Sequence, residues 1–411
     1  MTTRARVASV VLAWLVVLAT ETRIRPSLDI VRPTAVDTAA SVRWKLLSLT
    51  LTRQAVVRAR DAASRGDSTE LNALRRQAIG LNARLSGLLN VAMSRSTDSA
   101  RLDATRSSSR TAVAAAAAAV ITHFVPTLAP AVARAVDDDI APETRAGVDR
   151  PRVDAGLRLG SAIAARTLEW GRGDGSDAPP WTGTIPTGAG MWWGQPGVPP
   201  GLIDRLGYRL WVLRSADQFR PGPPVAFGSP EFAAALGEVR RVARSRSATE
   251  TRIAQWWGLR GAVELWEEIA ADVLIRHGVS DPRAAHVLAL LIAAGTDAGI
   301  ACTDAKYHYW LLRPTQADST IALADSLTLP NFPAYPSGHA CISGAVGEVL
   351  GHFIPAERAE MKRLADEAAM SRLYAGVHYR FDNDVGLELG RRVARYAIAE
   401  DSAGRLVTRW R

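Results

Sequence analysis

The sequence predicts an all-α protein of two antiparallel helical bundles, with the chemistry in the C-terminal bundle. Three observations lead there. Apolar residues recur at helical spacing along most of the 411 residues, and few stretches alternate as strands do. Helix starts are marked at Ser229-Pro230, at Ser247-Ala248-Thr249-Glu250 with capping-box spacing, and at Ser280-Asp281-Pro282. Between two helical regions the texture changes, over residues 172–228, to Gly, Pro and Trp, including Trp181, Trp192, Trp193 and Trp211. The expected organisation is therefore a segment 1–19, a bundle 40–171, a connecting segment 172–228 and a second bundle 229–405. A chain of this length with 47% hydrophobic residues can bury a substantial core.

In chain order, Arg4 and Arg6 precede an apolar run from Val7 to Ala19, followed by Thr20-Glu21. That is the length of a signal peptide over residues 1–19, with Val17-Leu18-Ala19 as its cleavage site and an uncleaved anchor as the alternative. It predicts a protein secreted, periplasmic or held at the cell surface. Helices are expected over Val42–Arg60, Leu71–Ala92, Ala104–Phe124 and Val153–Gly171, with the alanine run Ala114–Ala119 as a buried small-residue seam. The connecting segment reads as packing between the bundles and lining the approach to a site, with simple structural padding as the alternative. Gly261–His277 is amphipathic and closed by Gly278. A long core helix then opens at Ser280-Asp281-Pro282 and runs to Arg313, where Pro314 ends it. Its most apolar stretch, Ala284–Cys302, contains His286 and Asp297 and reads as core, so no membrane span is expected beyond the N-terminal signal.

The formal net charge of +9 is carried almost wholly by arginine; Lys45, Lys306 and Lys362 are the lysines. The arginines are interspersed with acids, as at Arg240-Arg241-Val242-Ala243-Arg244 and Arg391-Arg392, on what read as solvated helix faces. This pattern argues against a nucleic-acid partner and for a bias toward anionic small molecules. There is no H-E-x-x-H, C-x-x-C, nucleophile elbow or Walker loop.

Chemistry concentrates in three places. Pro336-Ser337-Gly338-His339 opens a helix running to about His352, with Ser337 as N-cap and free N–H groups suited to an anion. Upstream, Lys306 and Arg313 are seven residues apart; on one helix they share a face, roughly 10 Å apart along the axis. Downstream, Ser371-Arg372 is followed by His378 and then Asp382, whose spacing lets the carboxylate hold the His378 Nδ1–H and leave Nε2 free. Cations for the outer oxygens, one histidine to bond the central atom and another to move a proton suit a tetrahedral oxyanion.

Lys306-x6-Arg313-Pro314, Pro336-Ser337-Gly338-His339 and Ser371-Arg372-x5-His378-x3-Asp382 together resemble the three-part signature of the type 2 phosphatidic acid phosphatase and vanadium haloperoxidase superfamily. Asp297-Ala298-Gly299-Ile300, Phe332-Pro333-Ala334-Tyr335 and the loop Asp217-Gln218-Phe219-Arg220-Pro221-Gly222-Pro223-Pro224 look most like vanadium chloroperoxidases and their secreted bacterial relatives. The resemblance covers about residues 205–400. It implies a vanadium chloroperoxidase-like fold and orthovanadate as cofactor, bonded by His378 as the metal ligand. Its oxygens would be held by Lys306, Arg313, Arg372, the Ser337 hydroxyl and the Gly338 N–H, with His339 as acid–base and Asp382 behind His378. The substrates would be hydrogen peroxide and halide.

A second reading keeps the same cage: a phosphatase hydrolysing phosphate monoesters through a phosphohistidine at His378, with His339 protonating the leaving alkoxide and no cofactor. The haloperoxidase reading is favoured, against one departure. Vanadium chloroperoxidases carry a tryptophan three residues before the motif lysine, and Thr303 stands here. Cys302 and Cys341 fall close to the motifs and read as neighbouring buried thiols, although export permits a disulfide. His123, His277, His286 and His352 read as structural, and His308 as turned away from the Lys306 face.

Overall fold

Helices build the architecture of the described residues. The computed structural model describes residues 39–50, 68–102, 107–176, 179, 181–195 and 198–406. Among these residues no strand forms; Met191 and Leu311 make an isolated antiparallel bridge. The segment 1–19 expected to be a signal lies outside the described residues.

The N-terminal bundle comprises α1 (residues 40–50), α2 (Ser68–Leu102), α3 (Ser109–Phe124), α4 (Ala129–Arg145) and α5 (Arg150–Gly171). The helix expected over Val42–Arg60 is seen as α1, and its second half lies outside the described residues. Leu71–Ala92 is the middle of a longer helix. Ala104–Phe124 begins later than expected, because Ser108 caps the helix by accepting from the Thr111 N–H. Helix α4 was not anticipated from the sequence; Pro130 sits in its first turn, where no N–H is needed, and Pro142 lies inside it, near its end. Asp149 caps α5. Ala114 to Ala117 are buried, as a small-residue seam requires.

The second bundle comprises α6 (Pro230–Ser245), α7 (Ala248–Gly258), α8 (Ala262–Arg276), α9 (Asp281–Tyr309), α10 (Pro314–Ala317), α11 (Gly338–Phe353), α12 (Arg358–Tyr374) and α13 (Arg380–Ser402). The anticipated capping box at Ser247 and Glu250 is formed. One continuous apolar core runs through both bundles, from Trp44, Leu88 and Val113 to Leu288, Val346 and Val393. Helix α9 is its axis, packing on α2 and on α11 and α13. It is long and apolar enough to cross a membrane, but 83% of its most apolar window is buried inside the protein. Polar ties lock α1 onto the second bundle: Ser41 donates to Asp281 from N (2.9 Å) and Oγ (2.6 Å), and Lys45 pairs with Glu267 in the core.

Two features of this packing place the site. Helices α11 and α13 cross so closely that a Cβ at Gly390 would lie 2.0 Å from the Cys341 carbonyl oxygen, which only glycine tolerates. The connecting segment is pinned to α9, where the Asp297 carboxylate accepts the N–H groups of Trp211 (2.9 Å), Val212 (2.7 Å) and Leu213 (2.8 Å). Arg220 then forks onto Asp304 at 2.6 and 2.9 Å, and Tyr309 and Tyr335 donate to the Pro221 and Gly222 carbonyls, both at 2.7 Å. These contacts give the Asp297 and 217–224 motifs a physical role: a buried carboxylate satisfied by backbone donors fixes a long loop without strands.

Candidate functional site

Four chain segments converge at one end of the second bundle. The first departs from expectation: α9 ends at Tyr309 rather than Arg313. Trp310 takes a left-handed conformation (φ 53, ψ 30) and closes the helix on the Lys306 carbonyl. The chain beyond is drawn out by the connecting segment, with Trp192 N–H donating to the Trp310 carbonyl (2.7 Å) and Leu312 N–H to that of Gly190 (3.0 Å). Arg313 is therefore the extended residue before α10, not a partner of Lys306 on a helix face. The two meet because the chain turns back, and Phe332 lies under both cations, 5.3 Å from Lys306 Nζ and 4.9 Å from the Arg313 guanidinium carbon.

His378 precedes α13, so its pairing with Asp382 is not one of two residues on a helix. The contact forms all the same: Asp382, in the first turn of α13, accepts from His378 Nδ1 at 2.9 Å and from the Tyr379 N–H at 3.0 Å. One carboxylate thus caps the helix and orients the ring. With Nδ1 donating, Nε2 carries the lone pair, and it accepts from Arg313 Nη1 at 2.9 Å. Arg313 also donates to the Val377 carbonyl (2.8 Å) and, from Nε, to that of Phe332 (2.9 Å). The Ser337 N–H donates to the Asp382 carbonyl at 2.9 Å, joining the start of α11 to that of α13.

Around this histidine, polar groups are buried with no protein partner. They include Arg313 Nη2, Arg372 Nη1 and the Ser337 hydroxyl. Ser337 holds the N-cap position as expected, yet its side chain makes no capping hydrogen bond. Gly338, the first residue of α11, borders open space: a Cβ there would meet nothing within 4 Å. Burial pushes the Arg372 guanidinium down to about 10 and that of Arg313 to about 9. Lys306 behaves differently from expectation. Its ammonium donates to the carbonyls of Pro333 (2.9 Å), Ala334 (2.8 Å) and Pro336, so all three N–H groups hold the loop that leads into α11. Burial lowers it to about 8.

His339 sits on the first turn of α11, and its Nε2 lies 2.9 Å from the Trp257 carbonyl. A carbonyl only accepts, so Nε2 carries the proton and Nδ1 the lone pair. Burial, then the charge of Arg372, pushes His339 down to about 3. Burial, then Arg313, Lys306 and Arg372, pushes His378 well below the ordinary imidazole range. Both rings are neutral bases. Asp382 is raised to about 7 by burial, opposed by the Lys306 charge, the Tyr379 N–H and Arg313. Three buried cations grouped with one carboxyl make this a positive cluster that an anion would relieve.

Trp257 and Gly258, at the end of α7, were not singled out from the sequence. A Cβ on Gly258 would lie 2.7 Å from Arg372 Nη1 and 2.9 Å from Leu327 Cδ2. The glycine gives Arg372 its room, and the Trp257 carbonyl fixes the His339 tautomer. Neither role has a local sequence signal, because both depend on how α7 packs on α12. Thr303 is buried and turned onto its own helix, donating to the Gly299 carbonyl at 2.9 Å. Two of the histidines read as structural pair with acids, His277 with Glu357 (2.8 Å) and His286 with Asp401 (2.9 Å), while His308 is exposed. Cys302 and Cys341 are buried free thiols. Among the described residues no three His, Cys, Asp or Glu side chains group to hold a bare cation.

Residues 284–400 match the family model described as the PAP2 superfamily. This segment is a PAP2 superfamily domain. All eight predicted site residues, Lys306, Arg313, Ser337, Gly338, His339, Arg372, His378 and Asp382, lie inside this segment. The fold extends the likeness: a bacterial vanadium-dependent iodoperoxidase superposes with a TM-score of 0.65 at 22% identity, over 78% of this chain and 91% of that one. Bacterial vanadium-dependent chloroperoxidases superpose in their apo form (TM-score 0.60, 12% identity, 79% and 93% covered) and holo form (0.57, 13%, 82% and 93%). No curated protein matches the chain. At these identities the solved structures show a shared all-α fold around the PAP2 domain.

Proposed function

We propose that the chain is a vanadate-dependent haloperoxidase that oxidises halide with hydrogen peroxide. The observation carrying this reading is the set of unpartnered buried donors, Arg313 Nη2, Arg372 Nη1 and Ser337 Oγ, gathered beside an oriented histidine lone pair. Donors so placed, with the helix start at Gly338, match the oxygens of a tetrahedral anion, and His378 Nε2 matches its central atom. The fold shared with vanadium peroxidases supports the choice of vanadate. When bound, vanadate would supply the Lewis-acid centre that activates peroxide toward halide.

The chain's own residues do the rest. Asp382 holds the His378 Nδ1–H, which keeps Nε2 unprotonated and aimed. Arg372, Arg313, the Ser337 hydroxyl and the Gly338 N–H hold and neutralise the anion's oxygens. Lys306 contributes its charge and clamps the Pro333–Pro336 carbonyls, fixing the entry to α11. His339 Nδ1, neutral and on the ring edge not held by the Trp257 carbonyl, would accept and return the proton that peroxide brings. An anion alongside raises the affinity of this nitrogen for a proton, which suits it to both tasks. Export through residues 1–19 belongs to the same proposal.

Hydrolysis of a phosphate monoester through His378 is the second reading, and Thr303 in place of the chloroperoxidase tryptophan favours it. One experiment separates them. Apoprotein is assayed for bromination of a phenol dye with peroxide, and for hydrolysis of a chromogenic phosphate monoester, each with and without vanadate. Bromination that appears only with vanadate supports the haloperoxidase. Ester hydrolysis that vanadate inhibits competitively, without bromination, assigns the phosphatase.

A further inference from the structure

We propose that the chamber walled by residues 181–200 binds a neutral aromatic molecule and holds it as the organic acceptor of the halogen oxidised at the neighbouring anion site. Residues 181–200 carry no charged side chain, in a chain where 22% of residues are charged. They wall a cavity of about 660 Å³, lined by Trp181, Ile185, Met191, Trp192, Trp193 and Val198 among others. That volume suits an organic molecule of several rings. Indole faces and a thioether, with no ion among them, select a flat, uncharged ligand over a phosphate ester or a carboxylate. Trp193 and Val198 are 56% and 46% exposed, among the few large apolar side chains that the described residues leave open to solvent, and both line this cavity.

The chamber is fastened to the segments that build the anion site. Trp310, three residues before Arg313, packs on both Trp181 and Trp192, with ring centroids 6.4 and 6.1 Å apart. Gln316 accepts from the Arg313 N–H at 2.9 Å and donates to the Trp193 carbonyl at 2.7 Å. A second amide, Asn331, accepts from the Gln195 N–H at 3.1 Å and donates to the Pro199 carbonyl at 3.0 Å. The next residue, Phe332, is the ring that lies under Lys306 and Arg313. Two side-chain amides thus hold an uncharged compartment against a cationic one, which divides the work between them. The cage takes the anion, and the chamber takes a ring.

The acceptor role rests on the haloperoxidase reading; the binding of the ring does not. Hypohalous acid, the product of the proposed reaction, meets a ring already held nearby. A ring carbon bonds the halogen, the halogen–oxygen bond breaks, and the hydroxide leaves with the displaced ring proton as water. The ring carbon is oxidised by two electrons and the halogen returns to the halide level. Choice of organic substrate then resides in the chamber walls.

The test titrates 2-naphthol into the full chain by calorimetry, without vanadate, halide or peroxide. The expected result is saturable binding of one naphthol per chain, unchanged by excess phosphate. Trp193→Ala should raise Kd roughly tenfold, the loss of one aromatic contact, and Trp193→Phe should restore most of the affinity. Val198→Glu, which places a charge at the cavity wall on an exposed position, should weaken binding at least as much. With vanadate, bromide and peroxide added, both Trp193→Ala and Val198→Glu should raise KM for naphthol while leaving KM for bromide unchanged. No saturable binding, wild-type affinity in both of those variants, or displacement of naphthol by phosphate overturns the site. A naphthol KM that neither variant moves overturns the acceptor role. Because binding is read on the ligand-free protein, its failure is distinct from failure of the haloperoxidase reading, which would show as bound naphthol without bromination.

Discussion

Arg372→Ala should weaken vanadate binding sharply while leaving the ligand-free fold nearly as stable as before. Arg372 is 4% exposed, its Nη1 has no protein partner, and burial alone accounts for the depression of its guanidinium to about 10. That depression corresponds to roughly 3 kcal/mol of desolvation at neutral pH, with no ion pair to offset it. Truncation removes this penalty but forfeits the packing of the buried stem, worth about 2–3 kcal/mol. The two nearly cancel in the ligand-free protein. With the anion present, the lost interaction is a hydrogen bond to a charged group, about 1.5–3 kcal/mol, or a roughly 10- to 150-fold rise in Kd. Arg313→Ala should behave differently, because Arg313 holds Phe332, Val377 and His378 and its loss disturbs the loop itself. The measurements are urea unfolding of apoprotein and calorimetric titration with vanadate. Vanadate affinity within threefold of wild type would remove Arg372 from the cage, and a loss of more than about 3 kcal/mol of apo stability would make it structural.

Asp382→Asn should fold and still cap α13, but turn over far more slowly, since an amide neither fixes the His378 tautomer nor supports positive charge on the ring; steady-state rates from mildly acidic to mildly basic pH check this. His339→Gln should flatten the acid limb of apo stability. Wild-type His339, lowered to about 3, binds its proton less readily folded than unfolded, so its contribution is complete above about pH 6.5 and is lost as pH falls toward 3. Unfolding free energies at several pH values should show the mutant losing less than wild type across that window. Gly258→Ala adds a methyl 2.7 Å from Arg372 Nη1; displacing that flexible tip should lower vanadate affinity several-fold with little change in melting temperature. Unchanged affinity would show that Arg372 reaches the anion without help from α7.

The site was legible where chemistry is written into short spacings. His378 and Asp382 meet as their separation suggests, although through a helix start rather than along a helix. Lys306 and Arg313 show the limit of the same reasoning. Their spacing fits two turns, but Trp310 breaks the helix because the 190–192 stretch pairs with residues 310–312, a long-range contact that no local pattern encodes. The Lys306 donors could not be assigned from sequence either, since their acceptors are main-chain carbonyls of a loop 27 to 30 residues away. Trp257 acts through its carbonyl and Gly258 through the absence of a side chain, so side-chain chemistry gave no cue to either. In the fold, α4 was not marked out by the sequence reading, whereas the serine caps before α6 and α7 and the Asp281 start of α9 were legible in it.

The central claim is that Arg313, Arg372, Ser337, Gly338 and His378 form one cage for a tetrahedral anion. Titration of apoprotein with vanadate, repeated at increasing phosphate, tests it most directly. The cage predicts one vanadate per chain, a raised melting temperature on binding, and displacement by phosphate as a simple competitor, with binding severely weakened in His378→Ala. Vanadate that neither binds at one site nor protects the protein thermally, or that binds His378→Ala as tightly as wild type, would contradict it.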